Sequence, residues 1–315
     1  MRNFTKFIII YLVTTTLCII TIECALFTQE NEYSYKCHYI ENHLNDIKVL
    51  TLGASLFEVS VNPSIIGDGV FNGNLSGISD LYKNSATYQM AFRYVPQMHN
   101  LKVLIIPCAV ANLYRGSNDW HFMSDPGSRN SQCMKVKYLN VYEDWRDIVY
   151  WSEFVNSSMD FMGRFEKTDE ETRNCDSLGF VSTGREIENR KRGWENAFVE
   201  HNVNNFLKGK TRKDTWALIE GYNDVAELCK KHGVKLIGVA TPYYKTMLKE
   251  ISPTIKADYK YALSEIRKKH PEVEFFDYTY DERFTSDDFQ DAVHLNNVGA
   301  QKFSKVLKDE VLEIK

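Results

Sequence analysis

Ile47-Lys48-Val49-Leu50-Thr51-Leu52-Gly53-Ala54-Ser55 is an apolar run that ends in a turn of small residues carrying a serine. A short apolar, β-branched run bounded by glycine has the pattern of a buried strand, so Ser55 falls just past a strand's carboxyl end. Further along, Val70-Phe71-Asn72-Gly73-Asn74-Leu75 is a second strand-like run, and Leu101 to Ile106 is a third, stopped by Pro107. Val234 to Ala240 and Val273 to Tyr278 complete the set. Between them lie helical patterns from near Ser79 or Asp80 towards Tyr94, from Lys213 to His232 with Gly233 closing it, and from Ile255 to Lys269. A last helix starts at Asn297 as its expected cap, with Val298, Phe303, Val306, Leu307 and Leu312 as its apolar stripe.

Strands alternating with helices predict an α/β fold in which a parallel sheet of about five strands is covered on both faces. From about residue 108 to 209 that alternation stops. Four of the five tryptophans, Trp120, Trp145, Trp151 and Trp194, lie in this aromatic-rich stretch, which is expected to be an insertion after strand three with its own packed helices.

In open parallel sheets, ligands bind outside the carboxyl ends of the strands. Ser55, Asn74 with Ser76, the Cys108 to Asn112 turn, Thr241-Pro242 and the Asp291-Ala292-Val293-His294 stretch all follow strands and therefore share one edge. A serine hydroxyl is a weak nucleophile unless a base takes its proton and a third group holds that base in the right tautomer. Ser55, His294 and Asp291 are the candidates for those three roles. Donors for the tetrahedral oxyanion would be the Ser55 amide, with an amide around Ser76 or Gly77, or a side-chain amide such as Asn74 or Asn112. Asp287, Asp288 and Asp291 read as a solvated acidic loop rather than a cation site.

With 43% hydrophobic and 13% aromatic residues in 315, the chain can bury a substantial core. Its net charge of −4, from 38 basic and 42 acidic residues mixed along the chain, leaves no basic footprint for nucleic acid. Seven cysteines with no C-x-x-C pair, and eight histidines without ligand spacing, argue against zinc; they permit one or two disulfides without assigning them. The N-terminus carries Arg2 and Lys6 and then an uncharged run from Phe7 to Ile22. Residues 1–27 thus read as a signal anchor, with a cleaved signal peptide as the alternative, which would leave the chain secreted. Residues 28–45 follow as a polar juxtamembrane linker, and 46–315 form the folded part. With the basic residues on the short side, the anchor would leave that part outside the cytoplasm.

Gly53-Ala54-Ser55, Asn74-Leu75-Ser76-Gly77 and Asp291-Ala292-Val293-His294 together resemble blocks I, II and V of the SGNH (GDSL-like) hydrolase superfamily. Leu52-Gly53-Ala54-Ser55, and His294-Leu295-Asn296 followed by Gly299-Ala300, are similar to its membrane-anchored bacterial branch, which includes proteins tied to acyl or alanyl modification of cell-surface polymers. The likeness covers about Asp46 to Asn112 and Lys213 to Lys315. It implies a three-layer α/β/α, flavodoxin-like domain. It also implies a cofactor-free serine esterase or O-acyltransferase acting on acyl esters of an extracytoplasmic glycan. Two departures favour the alternative of a non-catalytic glycan- or partner-binding module. Ala54 stands where the family has Asp, and no G-x-N-D block follows strand three, where Pro107-Cys108-Ala109-Val110-Ala111-Asn112 stands instead. The α/β-hydrolase elbow G-x-S-x-G is disfavoured by Phe57 in place of its second glycine.

Overall fold

The computed structural model describes residues 2–28, 30, 32–75, 81, 85–114, 173–183 and 193–313. Ser76, Gly77, Trp120, Trp145, Trp151 and most of the expected insertion lie outside the described residues. The chain divides into two compact units, Met1–Tyr35 with His121–Asn174, and Lys36–Trp120 with Cys175–Lys315.

The first unit contains α1 (Arg2–Thr28), whose Asn3–Ala25 stretch is long and apolar enough to cross a membrane. At 1.5 Å per residue its 27 residues reach about 40 Å, more than the hydrocarbon core of a bilayer.

The second unit holds a five-stranded, all-parallel sheet in the order β2-β1-β3-β4-β5. Helix α2 (Glu32–Asn42) leads into β1 (Val49–Thr51), and β2 (Val70–Asn72) follows two short helical turns. The polar 28–45 stretch is therefore not a plain linker. Cys37 and Ile40 are buried on α2, three residues apart on one helical face, and Lys36 is buried beside them. Helix α3 (Ala86–Tyr94), capped by Ser85, precedes β3 (Val103–Pro107). Next come α4 (Trp216–His232), β4 (Lys235–Ala240), α5 (Pro253–Lys269) and β5 (Glu274–Asp277). Gly233 closes α4 at φ 68°, a conformation glycine adopts without a Cβ clash.

The final helix, α6 (Asn297–Val306), is capped by Asn296 rather than Asn297. Asn296 has the extended backbone a cap requires, and its Oδ1 accepts the amides of Val298 and Gly299. Asn297 turns its side chain outward instead, to Ser182 and the Thr183 amide.

Strand residues of alternating parity sort into two environments, as the strand's two-residue period dictates. Val49, Ile105, Ile237 and Val239 join Phe303, Val306 and Leu307 in one buried cluster. On the opposite parity, Gly238 lies against the Phe275 ring, and Tyr222 of α4 sits tilted to that ring with centroids 5.6 Å apart and donates to the carbonyl of Pro107.

The strand order reverses direction at β1. The chain goes outward to β2 and then returns across β1 to β3, so the crevice between the carboxyl ends of β1 and β3 is the topological switch point. Gly53 sits there. A Cβ at this position would lie 2.4 Å from Pro107 Cγ, so the first strand can turn into Ser55 this close to β3 only with glycine.

Candidate active site

Ser55 opens the helical turn Ser55–Glu58 directly after β1, with Ala54 in extended conformation before it. Its Oγ lies 3.0 Å from Nε2 of His294, which is 239 positions away in the chain. Nδ1 of His294 faces both carboxylate oxygens of Asp291, at 2.9 and 3.1 Å. Asp291 Oδ1 also accepts the amides of Val293 and His294, at 2.9 and 2.8 Å. The three-residue spacing is what allows this: the carboxylate caps its own loop and also reaches the imidazole of the histidine whose amide it caps. A ring held on Nδ1 by a carboxylate carries its proton there and leaves Nε2 as the acceptor facing the hydroxyl.

The loop bearing His294 is itself fastened. Leu295 bridges to Phe289, and the amides of Gln290 and Asn296 donate to the carbonyls of His294 and Asp288. Asp288 is buried, accepts from Thr285 and pairs with Lys302 at 2.7 Å, while Asp291 is buried against His294. Asp288 and Asp291 are therefore buried with fixed partners, whereas Asp287 is exposed, and no metal-ligand cluster occurs among the described residues.

Asn74 is fully buried, and both of its side-chain N–H bonds are committed, to Thr51 Oγ1 at 2.6 Å and to Asn72 Oδ1 at 2.7 Å. As arranged, it has no side-chain N–H left for an oxyanion. Asn112, on the 3₁₀ turn after β3, is buried at the same edge of the sheet and makes no hydrogen bond to Ser55, His294 or Asp291. The amides of Ser55 and Leu56, at the open end of the helical turn, carry no hydrogen bond to another described residue.

Beneath Ser55 lies a polar network that sequence reading did not find. Lys36 Nζ pairs with Glu58 of the serine's own turn at 2.8 Å and donates to the Asn74 carbonyl at 2.6 Å, with the two side chains 0% and 2% exposed. Asn72 Nδ2 donates to the carbonyls of Glu58 and Val61. Helix α2, the serine turn and the loop after β2 are thereby tied together.

Phe198 was missed as well. Its ring stands edge-on to the His294 imidazole, with centroids 5.5 Å apart, and it is 51% exposed at a left-handed φ of 65°. Such a backbone costs a bulky residue about 1–2 kcal/mol, and it persists where neighbours hold it. Here Asn202 donates to the Phe198 carbonyl, the Ala292 amide donates to Ala197, and Trp194 packs on Tyr244, whose own amide donates to Ala292.

No family model matches the chain. Nor does any curated protein match it.

Proposed function

We propose that this chain is a serine esterase or O-acyltransferase of the SGNH type, a three-layer α/β/α domain with an aromatic-rich insertion. It would be held at the membrane by α1, with its catalytic part outside the cytoplasm, and would act on acyl esters of a glycan. The observation that carries the reading is the unbroken hydrogen-bond chain Ser55 Oγ to His294 Nε2 and His294 Nδ1 to Asp291, at the switch point of a parallel sheet. Glycan, ester and extracytoplasmic placement come from the sequence resemblance and from the basic residues that precede the apolar run of α1.

In this mechanism Ser55 Oγ attacks the acyl carbonyl while His294 Nε2 takes the hydroxyl proton. Asp291 stabilises the imidazolium, and the Ser55 amide donates to the oxyanion. Collapse breaks the bond to the leaving alcohol, which takes the proton from His294, and the acyl group stays on Ser55. Water or a sugar hydroxyl then gives its proton to His294 and attacks the acyl-serine; collapse breaks the acyl–Oγ bond, Ser55 Oγ takes that proton back from His294, and the acid or new ester leaves. Hydrolysis and transfer differ only in that second acceptor. Turnover of p-nitrophenyl acetate by the full chain, absent in Ser55→Ala, tests the chemistry.

The second reading is a non-catalytic module that binds a glycan or a partner protein. The full commitment of the Asn74 amide favours it, because an oxyanion would then depend on backbone donors. Glycan binding that survives in Ser55→Ala, with no ester turnover by the unaltered chain, is the result it requires.

A further inference from the structure

A cavity of about 360 Å³ lies beside α5 and shares no lining residue with the serine site. Its walls include Val110, Ile251, Leu263 and Phe275, and four charged residues line it as well: Lys256, Lys260, Arg267 and Asp277. The three cations fall at i, i+4 and i+11 on α5 and so share one face of the helix. Elsewhere on α5, Lys268 pairs with Glu265 and Asp258 with Arg212. None of the three cavity cations forms an ion pair with a carboxylate among the described residues. Lys256 lies 4.5 Å over the Tyr280 ring and Arg267 5.1 Å over the Phe275 ring, contacts that steer their head groups while leaving N–H bonds for an acceptor. Asp277, the one carboxylate, accepts the Thr279 amide.

We infer that this cavity binds a phosphomonoester with an apolar or ring-shaped body. Apolar walls of this size hold a small organic group. A surplus of two positive charges among the lining residues matches a phosphate dianion, which guanidinium and ammonium donors bind through charge-assisted hydrogen bonds. The site is independent of the serine chemistry, so it stands or falls separately from the proposed function.

The test is calorimetric titration of the full chain in non-ionic detergent with phenyl phosphate, inorganic phosphate and phenol. Phenyl phosphate is expected to bind at one equivalent, more tightly than either fragment, with unchanged affinity in Ser55→Ala. Lys260→Glu places a like charge in the site and is expected to weaken binding at least about tenfold without lowering the melting temperature. Arg267→Gln, which keeps a polar side chain, provides a second variant and is expected to weaken binding in the same direction. Absence of phenyl phosphate binding, equal affinity for either fragment, or unchanged affinity in both variants would overturn the inference.

Discussion

His294 Nε2 lies 3.0 Å from Ser55 Oγ, although the two residues come from opposite ends of the sheet-forming sequence. A contact of this kind serves general-base chemistry when Nε2 is the acceptor nitrogen and the ring is held in place, and Asp291 fixes the tautomer and the orientation through Nδ1. His294→Ala is expected to lower ester turnover by about 10⁴-fold or more, and Asp291→Asn by about 10⁴-fold through the wrong tautomer. Steady-state kinetics with an aryl acetate, alongside thermal melts showing the fold retained, check both.

Lys36 and Glu58 form a buried pair, so removing either takes away the opposite charge from a group buried in the protein. Lys36→Met and Glu58→Leu are each expected to destabilise the protein by about 3–5 kcal/mol, whereas the double variant recovers much of that loss. Denaturant unfolding of all four forms measures the coupling. Equal, additive losses would show that the pair is not the tie between α2 and the serine turn.

Phe198 combines a left-handed backbone with a ring edge-on to the His294 imidazole. Phe198→Gly is expected to be more stable than Phe198→Ala by about 1 kcal/mol, since only glycine occupies that conformation freely. Both variants lose the ring that walls the site beside His294. Raised KM for bulky esters, with acetate turnover altered less, is the expected kinetic signature.

Arg283 pairs with Asp281 and with Glu310 and holds both carboxyls below their ordinary values, chiefly by side-chain hydrogen bonds. For carboxyls depressed in this way, the stabilisation is complete above their unfolded values near pH 4 and is lost as pH falls through the lower folded values. Because the network is half exposed, Arg283→Ala is expected to cost about 1 kcal/mol or less at pH 7. That gap should close in melts performed below about pH 4.

The alternation of five strands with helices, and the place of Ser55, Asp291 and His294 just beyond strands, could be read from sequence because each rests on local pattern. An apolar run ending at Gly53 specifies a strand and its turn, and the Asp291 to His294 spacing specifies a loop that caps itself. Features that depend on partners distant in the chain were not legible. Lys36 looked like part of a solvated linker because nothing nearby announces Glu58, 22 positions on. Asp288 looked solvated because Lys302 and the Thr285 amide are brought to it only by the fold. The choice between Asn296 and Asn297 as cap turned on one residue of backbone geometry, which composition does not encode. Asn74 was assigned by position after β2, and its amide proved to be held by Thr51 and Asn72 of neighbouring strands. Phe198 had no signal beyond lying in an aromatic-rich stretch.

The most direct test of the central claim is covalent labelling of the full chain with a fluorophosphonate, followed by peptide mass spectrometry. An activated serine displaces fluoride and keeps the phosphonyl group, so one adduct on Ser55 is expected, missing in Ser55→Ala and strongly slowed in His294→Ala. A folded protein that acquires no adduct at Ser55 would contradict the account.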